Sequence, residues 1–138
     1  CILSQYLVRK GKHQEVICPA MKLLIVEDNP LVRRILKKIV TPFSDEILEC
    51  ADGNESVQIY RTEKPDFVLM DLDLGETNGI SVTRQIKNYD STAKIIIVTS
   101  YDERDLRQAA AEAGAIAFVV KEDLSPLSSI IKKKRSII

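Results

Sequence analysis

Short apolar runs alternate with amphipathic stretches along most of this chain, and that alternation restricts the fold more than any other feature. The stretches between the runs mix apolar and charged residues, as surface helices do. Strands that alternate with helices predict the α/β class, in which helices cover a parallel sheet. The sequence therefore predicts a five-stranded parallel sheet, with strands at residues 22–26, 46–50, 66–70, 94–99 and 116–120.

Two proline-containing dipeptides mark the starts of helices. Asn29-Pro30 and Ser125-Pro126 each place a short polar side chain directly before a proline. A capping residue followed by proline at the first helical position is a typical helix start. Both dipeptides come shortly after an apolar run, so these two helices should begin close to strand ends.

Chemically active side chains stand at the ends of four of the five apolar runs. Glu27 and Asp28 follow the first run, Asp71 the third, Thr99 closes the fourth and Lys121 follows the fifth. The carboxyl ends of parallel strands line one edge of a sheet, so residues distant in sequence become neighbours there. The sequence predicts that acids, a hydroxyl and an ammonium group converge.

Three carboxylates in one place need a positive partner. Glu27, Asp28 and Asp71 repel one another unless protons or a divalent cation neutralise them. Mg²⁺ suits an all-oxygen site, takes one or two carboxylates and leaves room for phosphate oxygens. With Lys121 and Thr99 facing those oxygens, the cluster indicates phosphoryl chemistry on a carboxylate.

Four segments of the chain resemble the receiver domain of two-component response regulators, in the chemotaxis-receiver-like superfamily. The resemblance covers residues 21 to about 135 and implies a flavodoxin-like (βα)5 sandwich with strand order 2-1-3-4-5. The segments are LLIVEDNP (23–30), DFVLMDLDLGETNGI (66–80), KIIIVTSYDE (94–103) and AGAIAFVVKED (113–123).

The resemblance implies roles for the acidic residues. Asp71 is the expected nucleophile and phosphoacceptor, and Mg²⁺ (or Mn²⁺) is the expected cofactor. Asp28 and Asp71 would bind the metal directly, together with the backbone carbonyl of Asp73, while Glu27 would hold a metal-bound water. Carboxylates at these positions also serve as helix caps or stabilise helix dipoles, and Asp28 can do both.

The resemblance also implies a switch. Lys121 would pair with a phosphoryl oxygen, and Thr99 would donate its hydroxyl to the phosphoryl group once the acceptor is modified. Phe118 matches the aromatic that moves into the space vacated by that hydroxyl, although an aromatic in a strand is also an ordinary core residue. Asp73 and Tyr101 occupy positions that tune hydrolysis of the acyl phosphate.

Two positions depart from the family pattern. Gly75 stands where proline is common, four residues after Asp71, so the loop there is expected to be less rigid. Glu122 follows Lys121 where the family commonly has proline in a cis bond. A cis bond without proline costs roughly 2.5 to 4 kcal/mol, and the sequence leaves the geometry of this peptide open.

Composition restricts the setting and the partners. The 20 basic and 20 acidic residues cancel, so no overall field attracts nucleic acid or an anionic membrane. Cys1, Cys18 and Cys50 lack the spacing of a zinc site and are odd in number, which favours a reducing, cytoplasmic location. The basic run 132–135 complements the dipole of the last helix more readily than it binds nucleic acid.

Residues 1–20 lie outside the resemblance. We interpret them as a leader or an expression-derived extension, and residues 21–138 as the receiver domain. If residues 1–20 are instead a natural extension, residues 5–10 and 13–18 have the composition of two short strands around Gly11.

The function expected from these features is that of a phosphoacceptor in signalling, rather than a dedicated enzyme. His13 is the sole histidine, so the phosphoryl-donating histidine must belong to a sensor histidine kinase or a phosphotransfer protein. Phosphorylation of Asp71 would switch the surface around the fourth helix, fifth strand and fifth helix, and so control an output domain, a downstream protein or homodimerisation. No direct contact with nucleic acid or membrane is expected.

The sequence leaves two alternatives open. The domain is a receiver-like binding module that is never phosphorylated, which the departures at Gly75 and Glu122 favour. Alternatively, Asp71-Leu72-Asp73 mimics the Asp-x-Asp motif of phosphohydrolases that resemble haloacid dehalogenases. That motif normally continues with glycine and threonine, whereas Leu74 follows here.

Overall fold

The computed structural model describes residues 7–10, 13–16 and 21–135 and contains the predicted five-stranded parallel sheet. The order of its strands is β4-β3-β5-β8-β9, which is the predicted 2-1-3-4-5 order counted over the strands of this sheet. The strands are β3 (Lys22–Val26), β4 (Glu46–Cys50), β5 (Phe67–Met70), β8 (Ile95–Thr99) and β9 (Ala117–Val120).

Four α-helices connect successive strands of this sheet, a fifth follows the last strand, and together they form a layer on each face of the sheet. The second, third and fourth helices pack side by side on one face, and the first and fifth pack together on the other. Their bounds are α1 (Pro30–Val40), α2 (Gly53–Glu63), α3 (Gly79–Tyr89), α4 (Arg104–Ala113) and α5 (Pro126–Arg135).

Successive residues of each central strand face opposite layers. In β3, Leu24 and Val26 belong to the apolar cluster beneath α2, α3 and α4, while Leu23 and Ile25 belong to the cluster beneath α1 and α5. All four side chains are fully buried. A strand buried on both faces must be apolar throughout, which explains why the strands read as continuous apolar runs.

Polar residues cap the first three helices. The Asn29 side chain accepts hydrogen bonds from the backbone amides of Leu31 and Val32, and α1 begins at Pro30 as predicted. Asp52 and Asn78 cap α2 and α3 in the same way. Each cap satisfies amides that the first helical turn leaves without partners. As a result, α1 and α2 begin within a few residues of the ends of β3 and β4.

A tight hairpin follows β5, and it explains the absence of proline at Gly75. Strands β6 (Asp73–Leu74) and β7 (Thr77–Asn78) pair through a two-residue turn in which Gly75 has φ +70°. A positive φ at the first turn position is the pattern of a type II′ turn, which proline cannot adopt because its φ is fixed near −65°. The expectation that this loop is less rigid stays a prediction.

The N-terminal segment contributes a separate hairpin. β1 (Leu7–Lys10) and β2 (His13–Val16) pair antiparallel, with Leu7 opposite Val16. This agrees with the strand composition of residues 1–20, and Gly11 lies outside the described residues. Within the part of the chain that the structure describes, every helix is too short or too polar to cross a lipid bilayer.

Candidate functional site

The residues predicted from the strand ends meet at one edge of the sheet. The amide of Asp71 donates to the Val26 carbonyl (3.0 Å), and the amide of Lys121 donates to the Thr99 carbonyl (2.8 Å). Glu27 extends the pairing of β3 with β4 in the same way, donating to the Cys50 carbonyl (3.0 Å). Hydrogen bonding between strands thus continues one residue past them, and it holds these residues in fixed positions.

Three carboxylates form the centre of the site. One oxygen each of Glu27, Asp28 and Asp71 lie within 4.8 Å of one another. Glu27 is 1% and Asp71 5% exposed, whereas Asp28 is open to solvent. The cluster therefore has a buried floor and one accessible side, from which a ligand can approach.

Lys121 reaches this cluster from β9, so its role is not that of a solvated surface lysine. Its Nζ lies 2.6 Å from Oε1 of Glu27 and 3.4 Å from Oδ2 of Asp71, and its side chain is 18% exposed. Burial acts to lower the pKa of Lys121, but the contact with Glu27 and the charge of Asp71 prevail and raise it. The lysine is therefore held in its charged form between two acids.

Glu27 is a buried carboxylate whose surroundings favour its protonated form. Burial, above all, raises its pKa, and the neighbouring carboxyl group of Asp71 adds to the rise although Lys121 opposes it. Its Oε1 is buried and accepts no hydrogen bond from the described residues, so the contact with Lys121 is an ion pair without good hydrogen-bond geometry. A buried acceptor of this kind retains capacity for a further positive partner.

The residues present fit a divalent cation such as Mg²⁺. The donor set is entirely oxygen, it includes an incompletely satisfied carboxylate, and its accessible side leaves space for water and phosphate oxygens. A cavity of about 160 Å³ opens over the cluster, and its lining includes Asp28, Asp71, Asp73, Thr99 and Lys121. Asp73 opens β6 and thus stands at the predicted position beside the acids.

Thr99 and Phe118 lie on the same face of the sheet, on neighbouring strands and two residues apart in register. Phe118 pairs with Ile97, which is two residues before Thr99 in β8. The Thr99 side chain is fully buried, and its Oγ1 accepts a hydrogen bond from the Tyr101 amide (3.2 Å). Phe118 is partly buried against the core, with the guanidinium of Arg107 4.7 Å from its ring centre. The geometry is compatible with both the switch role and the packing role of Phe118.

Tyr101 and Asp73 border two neighbouring cavities. Both residues line the cavity over the acids, and both also line a second cavity of about 390 Å³ beside it. The Tyr101 side chain is 49% exposed at this boundary. Their placement at the mouth of the site matches the predicted positions for residues that tune hydrolysis, and that role stays a prediction.

The sequence left the geometry of the peptide after Lys121 open, and the structure defines it. The peptide between Lys121 and Glu122 is trans, as are all other peptide bonds among the described residues.

Cys50 is a buried free thiol whose pKa is raised to about 11, mainly by burial, so it is not a candidate nucleophile. Cys1 and Cys18 lie outside the described residues.

Gly79 is a site residue that the sequence analysis missed. Its amide donates to the Leu72 carbonyl (2.9 Å), and a Cβ atom at this position would collide with the backbone carbonyl oxygen of Asp71. Only glycine lets α3 begin this close to the end of β5. The Asn78-Gly79 pair at the start of a helix was the available signal, because a glycine there permits close approach of another backbone.

Comparisons of sequence identify the relatives of this chain. The model of the family described as response regulator receiver domain matches residues 23–132. The chemotaxis protein CheY of Thermotoga maritima is 38% identical over 101 residues, which are 72% of this chain and 84% of that protein. Sporulation initiation phosphotransferase F of Bacillus subtilis is 30% identical over 113 residues, or 81% of this chain and 91% of that protein.

Comparisons of structure agree with those of sequence. A two-component response regulator of the LuxR family from Aurantimonas superposes with a TM-score of 0.78 at 31% identity, covering 86% of each chain. A CheY-like receiver domain protein from Methanospirillum hungatei also gives a TM-score of 0.78, at 24% identity over 85% of this chain and 94% of that one. The second likeness concerns the fold alone.

Gly79→Ala should be far more disruptive than Gly53→Ala, although both glycines open a helix directly after its cap. The added methyl group meets the immovable Asp71 backbone at Gly79, whereas at Gly53 it meets side-chain methyl groups of Thr77 and Val82 (2.6 and 2.8 Å) that can turn. We expect Gly79→Ala to cost at least about 2 kcal/mol of unfolding free energy in urea titrations. Equal losses in the two variants would contradict this account.

Glu27→Gln should stabilise the metal-free protein at neutral pH. Because the folded-state pKa of Glu27 is raised, its ionisation opposes folding above that pKa, and the penalty disappears below the ordinary value of 4.5. In urea titrations with a chelator present, the gain should grow as the pH rises above the ordinary value of 4.5 and vanish as the pH falls below about 4. Exposed Glu55 in the first turn of α2 provides the control, since Glu55→Gln should give no gain.

Proposed function

The chain belongs to the response regulator receiver domain family, and from this premise we propose that it is a phosphoacceptor whose Asp71 receives a phosphoryl group in a two-component system. The observation that carries the proposal is the position of Asp71, a buried carboxylate that shares one cluster with Glu27, Asp28 and Lys121. Receiver domains are signalling domains rather than dedicated enzymes, and we propose the same for this chain.

In the proposed reaction, a carboxylate oxygen of Asp71 attacks the phosphorus of a phosphohistidine on a partner protein. The new P–O bond forms as the P–N bond breaks, and the imidazole leaves with the bonding electron pair and takes up a proton. Water later hydrolyses the acyl phosphate and restores the carboxylate. Positioning and charge neutralisation account for most of the catalysis in such transfers.

Mg²⁺ or Mn²⁺ fits the site as its cofactor. Asp28, Asp71 and the backbone carbonyl of Asp73 would hold the cation, with Glu27 facing it through a water molecule. When bound, the cation supplies positive charge for the phosphoryl oxygens. The remaining chemistry belongs to the protein: Asp71 provides the nucleophile, and burial on the side of Glu27 limits the access of water.

Lys121 and Thr99 would respond to the new charge. A phosphoryl group brings about 1.5 to 2 negative charges, and Lys121 already lies 3.4 Å from the carboxylate that would carry it. Thr99 would turn its hydroxyl hydrogen towards the phosphoryl oxygens. Because Phe118 lies on the same face one step away, the change would pass to the surface formed by α4, β9 and α5.

The partners follow from this chemistry. The phosphoryl-donating histidine would come from a sensor histidine kinase or a phosphotransfer protein. The output would be an attached domain, a downstream protein or a second copy of this chain. A cytoplasmic location would suit a reaction partner of this kind.

Asp71→Asn should abolish phosphorylation, because an amide oxygen cannot form the acyl phosphate. The wild-type protein, given Mg²⁺ and a small acyl-phosphate donor, should show a single labile phosphoryl adduct in intact mass spectra. Asp105→Asn is the matched control, since it removes an exposed carboxylate in the first turn of α4, outside the site, and should retain the adduct.

Other results of that experiment would overturn the proposal. If wild type shows neither an adduct nor donor consumption, the domain is a receiver-like binding module that is not phosphorylated. If wild type turns over unrelated phosphate esters continuously, the phosphohydrolase alternative is correct. An adduct that persists in Asp71→Asn would reassign the acceptor to another residue.

Thr99→Ala should leave Asp71 phosphorylatable while suppressing the change at the output surface. The variant keeps the nucleophile but lacks the hydroxyl that would contact the phosphoryl group. NMR spectra recorded before and after phosphorylation should show shifts around Phe118 and α4 in wild type and much smaller shifts in Thr99→Ala. Thr83→Ala is the control, because Thr83 is equally buried but bonds the Gly79 carbonyl instead. Equal shifts in wild type and Thr99→Ala would exclude this switch.

A further inference from the structure

Arg33 on α1 connects the acidic loop to the neighbouring strand. Its Nη1 donates to the backbone carbonyl of Glu27 (2.7 Å), and its Nε lies 3.3 Å from Oε1 of Glu49 on β4. The Arg33 and Glu49 side chains are 25% and 33% exposed, so this contact is partly shielded from water. The guanidinium thus joins three elements: α1, β4 and the end of β3.

The Glu27 carbonyl needs such a donor. Glu27 is buried, and β4 ends at Cys50, the residue whose carbonyl accepts the Glu27 amide. A buried carbonyl without a partner costs free energy comparable to a lost hydrogen bond. Here the guanidinium of Arg33, rather than another strand amide, satisfies it.

Arg33 also belongs to the first turn of the helix that follows the acids. Its amide donates to the Asn29 carbonyl (2.9 Å), while the Asn29 side chain caps the same turn. The loop of Glu27, Asp28 and Asn29 is therefore held at one end by β3 and at the other by α1, with the Arg33 side chain bridging the two ends.

We infer that Arg33 is a positioning residue for the cation site: it fixes the Glu27–Asn29 loop so that the Glu27 and Asp28 carboxylates face Asp71. The inference rests on the proposed function, because it assigns Arg33 a part in binding the cofactor. Glu49 has a supporting role, since it orients the guanidinium and balances its charge. Lys37 also contacts Glu49 (3.1 Å), so Glu49 retains a cationic partner when Arg33 is replaced.

A role through charge alone predicts the opposite effect. Arg33 is a cation close to a cation site, so removing its charge without disturbing the loop would strengthen Mg²⁺ binding. Removing a residue that positions metal ligands weakens binding, typically by about 10-fold to 100-fold. The sign of the change therefore separates the two roles.

The test is Mg²⁺ binding to the unphosphorylated protein, measured by isothermal titration calorimetry. Arg33→Met should weaken binding about tenfold, because it retains the bulk of the side chain but lacks both donors. Arg34→Met is the matched control: Arg34 is the exposed neighbour on α1, and its removal should leave affinity unchanged or slightly increased. Glu49→Gln should weaken binding less, and adding it to Arg33→Met should cause no further loss, since both act through one contact.

The outcomes distinguish this inference from the proposed function. If wild type binds Mg²⁺ and Arg33→Met binds it equally or more tightly, Arg33 has no positioning role, while the phosphoacceptor proposal stands. If wild type does not bind Mg²⁺, the cofactor assignment and this inference both fail. If circular dichroism shows that Arg33→Met is unfolded, Arg33→Lys is tested instead. This variant should lose one of the two contacts of Arg33, so Mg²⁺ binding about threefold weaker than in wild type supports the inference. Wild-type affinity in Arg33→Lys overturns it.

Discussion

Repulsion among three carboxylates at the ends of adjacent strands is the constraint around which the site is arranged. Glu27 and Asp71 are buried where water cannot screen them, so each needs a positive partner inside the protein. Lys121 supplies that charge from β9, two strands away from β5, and only a long flexible side chain can cross that distance and still contact both acids. A lysine at this position follows from the order of the strands as much as from the chemistry.

The fold can hold these carboxylates close together because burial and hydrogen bonding fix the strands beneath the site. β3, β5 and β8 are buried on both faces, and the hydrogen bonds between strands run past their ends to Glu27, Asp71 and Lys121. The side chains of Asn29 and Asn78 then cap the helices that follow and provide acceptors for amides of the first helical turns. The reactive side chains consequently stand on fixed backbone, while Asp28 and Tyr101 remain accessible at the surface.

The sequence predicted the features of the fold and site that depend on local pattern. It did not predict those that depend on distances between elements far apart in the chain. The apolar runs gave the strands, and the residues after them gave Asp71 and Lys121, because strand ends must share an edge in a parallel sheet. The Asn78-Gly79 pair hints at a close approach of another backbone, but the contacts of Gly79 and Arg33 could not be read from sequence, since each depends on how closely α3 or α1 approaches the end of a strand. The hairpin that contains Gly75 was not foreseen for a similar reason: its strands, β6 and β7, are two residues each and too short to recognise from sequence.

Under the proposed function, Lys121 would also couple charge at the site to the rest of the domain. Its ammonium is now shared unequally, closer to Glu27 than to Asp71, and the amide of the same residue bonds the carbonyl of Thr99. Added negative charge on Asp71 shifts the balance towards Asp71, and Glu27 then loses its cationic partner unless other positive charge replaces it. The two effects are reciprocal. A cation that neutralises Glu27 makes negative charge on Asp71 more favourable, and negative charge on Asp71 strengthens the binding of that cation. Cofactor binding and phosphorylation are therefore expected to reinforce each other through this one lysine.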